Sequence, residues 1–154
     1  NLDAKFVIPV SKWMAMIPDL SYRGYFSKCT IAEQEYDVAH NNYVGGAIKG
    51  RYVDQQLPFV GFNDVGHVMN QVVTANLDIR FKLAKKLYLS ALVGAVRDRN
   101  YFSEMFSGIR PSFWGCGIEL AYRTFCGPIK VNLHWNNSKY ADAVGYYISY
   151  GFDF

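Results

Sequence analysis

The feature that most constrains this chain is strict alternation over long stretches. In "NQVVTANLDIRFKL", Asn70, Val72, Thr74, Asn76, Asp78, Arg80 and Lys82 share one face of an extended strand. Gln71, Val73, Ala75, Leu77, Ile79, Phe81 and Leu83 share the other. "SFWGCGIELAYRTF" repeats the pattern, with Trp114, Cys116, Ile118, Leu120 and Tyr122 opposite Gly115, Gly117, Glu119, Ala121 and Arg123. In "IKVNLHW", Ile129, Val131, Leu133 and Trp135 oppose Lys130, Asn132 and His134. The segment "LYLSALVGAVRD" is rich in strand formers but alternates imperfectly. In the final "VGYYISYGFDF", Tyr146, Ile148, Tyr150, Phe152 and Phe154 lie on one side. A strand running to the last residue has to be paired or embedded.

The connections sort by length. Short turns ("PVSK", "AKK", "CGP") alternate with long polar connections, from Cys29 to about Gly66, from Arg99 to Pro111 and from Asn136 to Ala143. All the short turns then lie at one end of the strands, together with the C-terminus. Short turns at one end, long loops at the other and aromatic-rich strands describe a transmembrane β-barrel. Backbone in lipid must satisfy its own hydrogen bonds, so such strands require a closed barrel with an apolar exterior and a polar lumen. That rule assigns Asn76, Asp78, Arg80, Glu119, Arg123, Lys130 and His134 to the lumen. It assigns Trp114, Tyr122, Trp135, Tyr146 and Phe154 to lipid. The rival is a soluble antiparallel barrel binding an apolar ligand, in which Ile129, Val131, Leu133 and Trp135 point into a closed core.

Composition narrows the function. Aromatic residues make up 17% of the chain, with 12 Tyr and 11 Phe. A net charge of +3 without a basic block gives no nucleic-acid signature. No apolar run is long enough for a membrane helix, and the opening "NLDAKFVIPV" lacks the layout of a signal peptide. Cys29, Cys116 and Cys126 have no zinc or paired-disulfide spacing and read as strand or turn residues.

Catalytic and ligand motifs are missing from the sequence. There is no G-x-S-x-G, so a hydrolase lacks its nucleophile, and "DVG" at Asp64 to Gly66 does not supply one. Gly45 and Gly50 have phosphate-loop spacing, but Arg51 and Tyr52 stand where Lys and Ser or Thr are needed. His40, His67 and His134 are too dispersed for a metal motif. No cofactor, metal site or enzymatic activity of this chain is expected.

The stretch "NNYVGGAIKGRYVDQQLPFVGF", the turn from Thr124 through Gly127 and Pro128, and the aromatic end resemble the C-terminal part of bacterial surface antigen barrels, the outer-membrane assembly factor superfamily. Within it the chain most resembles barrels fused to patatin-like phospholipases. Tyr43, Gly45 and Gly46 match the loop start, and Gly50, Arg51 and Tyr52 stand at the tip with the glycine before the arginine. A literal Arg-Gly-Tyr at Arg23 to Tyr25 falls in a strand instead.

The resemblance implies an all-β, antiparallel transmembrane barrel of sixteen strands, of which this chain supplies about seven. The long loop, about residues 29–66, lies between the eleventh and twelfth strands, and five strands follow it. The family's loop folds into the lumen, which implies pairing of Arg51 with Glu119, or with Asp78. A solvated Arg51, with Glu119 pairing to Arg123, is the alternative. Tyr146, Ile148, Tyr150, Phe152 and Phe154 resemble the terminal signal read by the barrel-assembly machinery, a strand-addition recognition.

The implied function is anchoring, and helping to export, an upstream patatin-like lipase domain in the bacterial outer membrane. Insertion or translocation of other proteins is a related alternative. The implied partners are outer-membrane lipid, the assembly machinery, and the upstream strands or other chains.

Overall fold

The computed structural model describes residues 2–24, 29–31, 34–36, 42–46, 56–62, 66–68, 70–108, 110–138 and 143–151. The described residues are all-β apart from one 3-10 turn. Its elements are β1 (Leu2–Lys5), β2 (Ile8–Ser11), β3 (Met14–Gly24), β4 (Cys29–Ile31), β5 (Gln34–Tyr36), β6 (Asn42–Val44), β7 (Gln56–Leu57), β8 (Gly66–Val68), β9 (Gln71–Lys82), β10 (Leu87–Arg99), the 3-10 turn (Phe102–Phe106), β11 (Phe113–Thr124), β12 (Gly127–Asn136) and β13 (Val144–Tyr150).

An eight-stranded antiparallel sheet runs in the order β1-β3-β9-β10-β11-β12-β13, with β2 also paired to β3. Lys5 lies opposite Asp19 and Ile8 opposite Met16, and the Phe6 amide bonds the Pro18 carbonyl at 3.0 Å. β1 and β2 are therefore one interrupted wall strand, which leaves seven positions in the wall among the described residues. The five wall strands after Gly66 are β9 to β13, as the sequence leads one to expect, while β8 pairs with β6 in the loop. Within the described residues the sheet does not close on itself.

The short connections sit at one end. The first turn is Lys12–Trp13 rather than "PVSK": Pro9 and Val10 belong to β2, where the register slips between Pro9 and Ser11. Proline lacks a donor, so it is tolerated at such an irregularity. The other two turns fall at 83–86 and at Phe125–Cys126, where the Thr124 hydroxyl donates to the Gly127 carbonyl. That bond accounts for the threonine of the turn motif.

The register fixes which residues share a face. On one face the rows Ala91–Ile118–Leu133–Tyr146 and Leu89–Leu120–Val131–Ile148 run across four neighbouring strands. Ile118, Leu133 and Ile148 are 59%, 58% and 64% exposed. This face carries nothing but uncovered apolar side chains across its middle, so the closed apolar core required by a soluble barrel is absent from the described residues. On the opposite face the long loop has returned to the sheet. The buried core, Val44, Leu57, Phe59, Phe62, Val68, Val72, Val96 and Phe113, joins loop to wall there.

β10 shows why its alternation is imperfect. Leu92 and Val96 point to the polar face because that face is covered by loop residues at this height. Strand and coverage, rather than strand alone, decide the pattern.

Candidate functional site

Three glycines form the floor of the site. Gly94 pairs with Gly115 across β10 and β11, and Gly117 lies two residues on. A Cβ at Gly115 would stand 2.3 Å from the Val60 carbonyl oxygen, and at Gly94 3.0 Å from the Phe59 ring. Only a side chain ending at hydrogen lets the loop backbone approach the sheet this closely. At Gly117 the same Cβ would meet Val60 at 3.0 Å.

Asparagines flank the floor in the same row. Asn76 lies opposite Gly94, and Asn136 opposite Gly115. The Asn76 amide donates to the Pro58 carbonyl at 3.3 Å, and the buried Asn136 amide to the Gly61 carbonyl at 2.6 Å. The two wall amides thereby hold both ends of the segment at residues 58–61. Above it, Phe59, Phe62 and Phe113 pack with ring centroids 5.1 to 5.4 Å apart. Each buried phenylalanine contributes roughly 1.5–3 kcal/mol against exposure.

The loop reaches the wall through a tight return at its start. Gly45 and Gly46 have φ of 134° and 70°, values that favour glycine. The Gly45 amide bonds the Leu57 carbonyl at 3.0 Å and the Gly46 amide the Phe62 carbonyl at 2.9 Å. Gln56 closes the return by donating to the Gly45 carbonyl at 2.5 Å. Tyr43 sits in β6, between the parallel partner β7 and the antiparallel β8. The loop-start motif is thus a fold-back device.

Toward the short-turn end lies a cavity of about 300 Å³, lined by Lys5, Arg80 and Lys130 against Asp19, Asp78 and Glu119, with Asn132, His134 and Tyr147 beside them. Three cations face three carboxylates, so the cavity is close to neutral. Asp78 and Arg80 pair at 2.5 Å, Arg80 Nε donates to Ser90 Oγ at 3.4 Å, and His134 Nδ1 lies 2.8 Å from Asn132 Oδ1. Arg80 is exposed enough that its pairing with Asp78 is screened by solvent, whereas the His134–Asn132 contact is buried.

The sequence assignment of Asn76, Asp78, Arg80, Glu119, Lys130 and His134 to one polar face agrees with this geometry. Asp78 and Glu119 line the same cavity. Arg51, Gly50 and Tyr52 lie outside the described residues, as do Phe152 and Phe154 and His40. Tyr146, Ile148 and Tyr150 lie along the outer face of β13, paired with Leu133, Val131 and Ile129. Arg23 and Gly24 of the literal Arg-Gly-Tyr end β3, in the strand as expected. Cys126 is exposed in its turn and Cys116 half-buried on the outer face, both as free thiols.

Sequence reasoning missed Phe59, Val60, Phe62, Asn136 and Gly94. Their signal was a glycine on each of two strands, which becomes a floor only once the register is known. Among the described residues no cluster of three or more His, Cys, Asp or Glu could hold a metal ion.

The outer face has the dimensions of a membrane belt. Trp114 and Trp135 meet edge to face at 4.9 Å near the long-loop end, and Tyr122 and Tyr150 lie near the turns. Trp114 to Tyr122 spans about 27 Å along the strand, or about 21 Å at a tilt near 40°. That is comparable with the ~25 Å apolar band of outer-membrane barrels. A family model described as the OMP85 superfamily matches residues 15–154. The chain belongs to the OMP85 superfamily. No curated protein matches it. Membership implies an outer-membrane β-barrel, and the two faces have the chemistry such a wall needs: OMP85 strands with lipid outside and a returning loop inside.

Proposed function

We propose that this chain is the C-terminal wall of a sixteen-stranded outer-membrane barrel, and that it anchors, and helps export, a patatin-like lipase domain carried upstream. The observation that carries the anchoring role is the division of one sheet into an uncovered apolar face and a polar face occupied by the loop. The patatin-like parent rests on the resemblance of the loop start, the Thr124 turn and the aromatic end.

Within this reading Arg51 enters the lumen and pairs with Glu119. Asp78, which Arg80 engages at 2.5 Å, is the alternative partner. A charge-assisted pair there would tie the loop tip to β11 below the asparagine clasp. Tyr146, Ile148, Tyr150, Phe152 and Phe154 act as the strand read by the assembly machinery, and among the described residues β13 lies at the edge of the sheet.

A second reading, insertion or translocation of other proteins, is favoured by OMP85 membership itself. The test separates the two in the full-length parent expressed in a Gram-negative host. Lipase activity that appears at the cell surface, and becomes periplasmic when this segment is deleted, supports anchoring and export. A parent without lipase activity, whose loss depletes other outer-membrane proteins, supports the insertion role and overturns the first.

A further inference from the structure

The 3-10 turn between β10 and β11 packs on the apolar face of the sheet. Leu20 and Tyr22 alternate onto the apolar face, as do Val93, Ala95 and Arg97 of β10. Phe102 packs edge-on against Tyr22 at 6.3 Å and against Phe106 at 5.2 Å. The Arg97 guanidinium gathers the connection from the same side: it donates to the carbonyls of Glu104 at 3.2 Å, Ser107 at 3.0 Å and Arg110 at 3.5 Å, and to that of Gly108. A guanidinium spread over four carbonyls fixes a turn that has no side-chain cap of its own.

What the clamp presents is apolar. Tyr101, Phe102 and Phe106 are 54%, 45% and 75% exposed. Phe102 meets Tyr22, whose row with Val73 and Arg97 is the next beyond Ala95 and Trp114, where the belt ends. Rings at the margin of an apolar band match the boundary between acyl chains and headgroups.

We propose that the β10–β11 connection is an interfacial lipid anchor, in which Arg97 holds Phe102 and Phe106 against the outer leaflet. It continues the lipid-facing belt and so rests on the membrane reading above. The occupant is lipid rather than protein because the patch is continuous with that belt at Tyr22.

The test uses the full-length protein, lacking native cysteines, in vesicles of phosphatidylethanolamine and phosphatidylglycerol. Spin labels are placed singly at Phe106→Cys, at Leu133→Cys as the belt reference and at Lys85→Cys as the aqueous reference. The ratio of accessibility to oxygen over a water-soluble nickel chelate is read at each. The anchor gives a ratio at position 106 severalfold above that at 85, and Arg97→Lys, with folding checked by heat-modifiable gel migration, lowers it toward that of 85. A label at 106 matching 85, or shielded from both reagents, overturns the anchor. An Arg97→Lys variant with an unchanged ratio overturns the clamp. Failure of the membrane reading is distinguishable, since it alone removes the oxygen preference at 133.

Discussion

Replacing Gly115 by alanine tests the loop's seat on the wall most sharply. The new methyl carbon would stand 2.3 Å from the Val60 carbonyl oxygen, 3.1 Å from the Trp135 carbonyl oxygen and 3.3 Å from the Phe59 ring, where ordinary contacts lie at 3.4–4 Å. Two of those atoms are backbone, so no rotamer change relieves the clash, and the loop must lift by about 1 Å. Lifting stretches the 2.6 Å bond from Asn136 to the Gly61 carbonyl and loosens the Phe59 contacts with Phe62 and Phe113. A weakened buried hydrogen bond contributes about 1 kcal/mol and overpacking about 1–3 kcal/mol, for a total of about 2–4 kcal/mol. Urea unfolding of the full-length barrel in micelles reads the stability, and limited proteolysis between residues 57 and 62 reads the loop. Gly66→Ala is the control, because its nearest neighbours would lie at 3.7 Å. A Gly115→Ala protein as stable and as protease-resistant as wild type would refute the seating of the loop on this floor.

The two clasping asparagines should differ: Asn136→Ala strands a buried carbonyl and costs about 1–3 kcal/mol, while Asn76→Ala, losing a 3.3 Å bond, costs less. The same urea titration ranks them, and the reverse order contradicts the geometry. Leu133→Arg, in the middle row of the outer face, should destabilise the barrel in bilayers by about 2–4 kcal/mol, whereas Lys130→Gln on the lumen side stays within about 1 kcal/mol. Equal costs at the two positions count against a lipid-facing wall. A double-mutant cycle on Arg51→Ala and Glu119→Gln should give a coupling of about 0.5–3 kcal/mol, and additive effects remove the pairing.

What could be read from the sequence was whatever depends on one strand at a time. Alternation from Asn70 to Lys82 and from Trp114 to Arg123 placed Asp78, Arg80 and Glu119 on one face, and the register brings them to one cavity. The Thr124 turn was also legible, because its hydroxyl bonds the Gly127 carbonyl three residues on, whereas the Gly45–Gly46 pair bonds Leu57 and Phe62 across the loop. The glycine floor was not, since Gly94 and Gly115 meet only through pairing between strands. Leu92 and Val96 blurred the reading of β10 for the same reason: their cover, Phe59 and its neighbours, comes from a distant loop. The four carbonyl partners of Arg97 emerge only from the folded connection.

The central claim is that the exposed face of this sheet meets lipid, and quenching of tryptophan by brominated acyl chains tests it directly. One full-length variant keeps Trp135 as the only tryptophan, and a second carries Tyr147→Trp in a tryptophan-free background, at a residue lining the polar cavity. The account predicts strong quenching of Trp135 by brominated lipid, and little quenching at position 147. Equal quenching at the two positions, or a Trp135 reached by aqueous iodide and untouched by bromine, would contradict it.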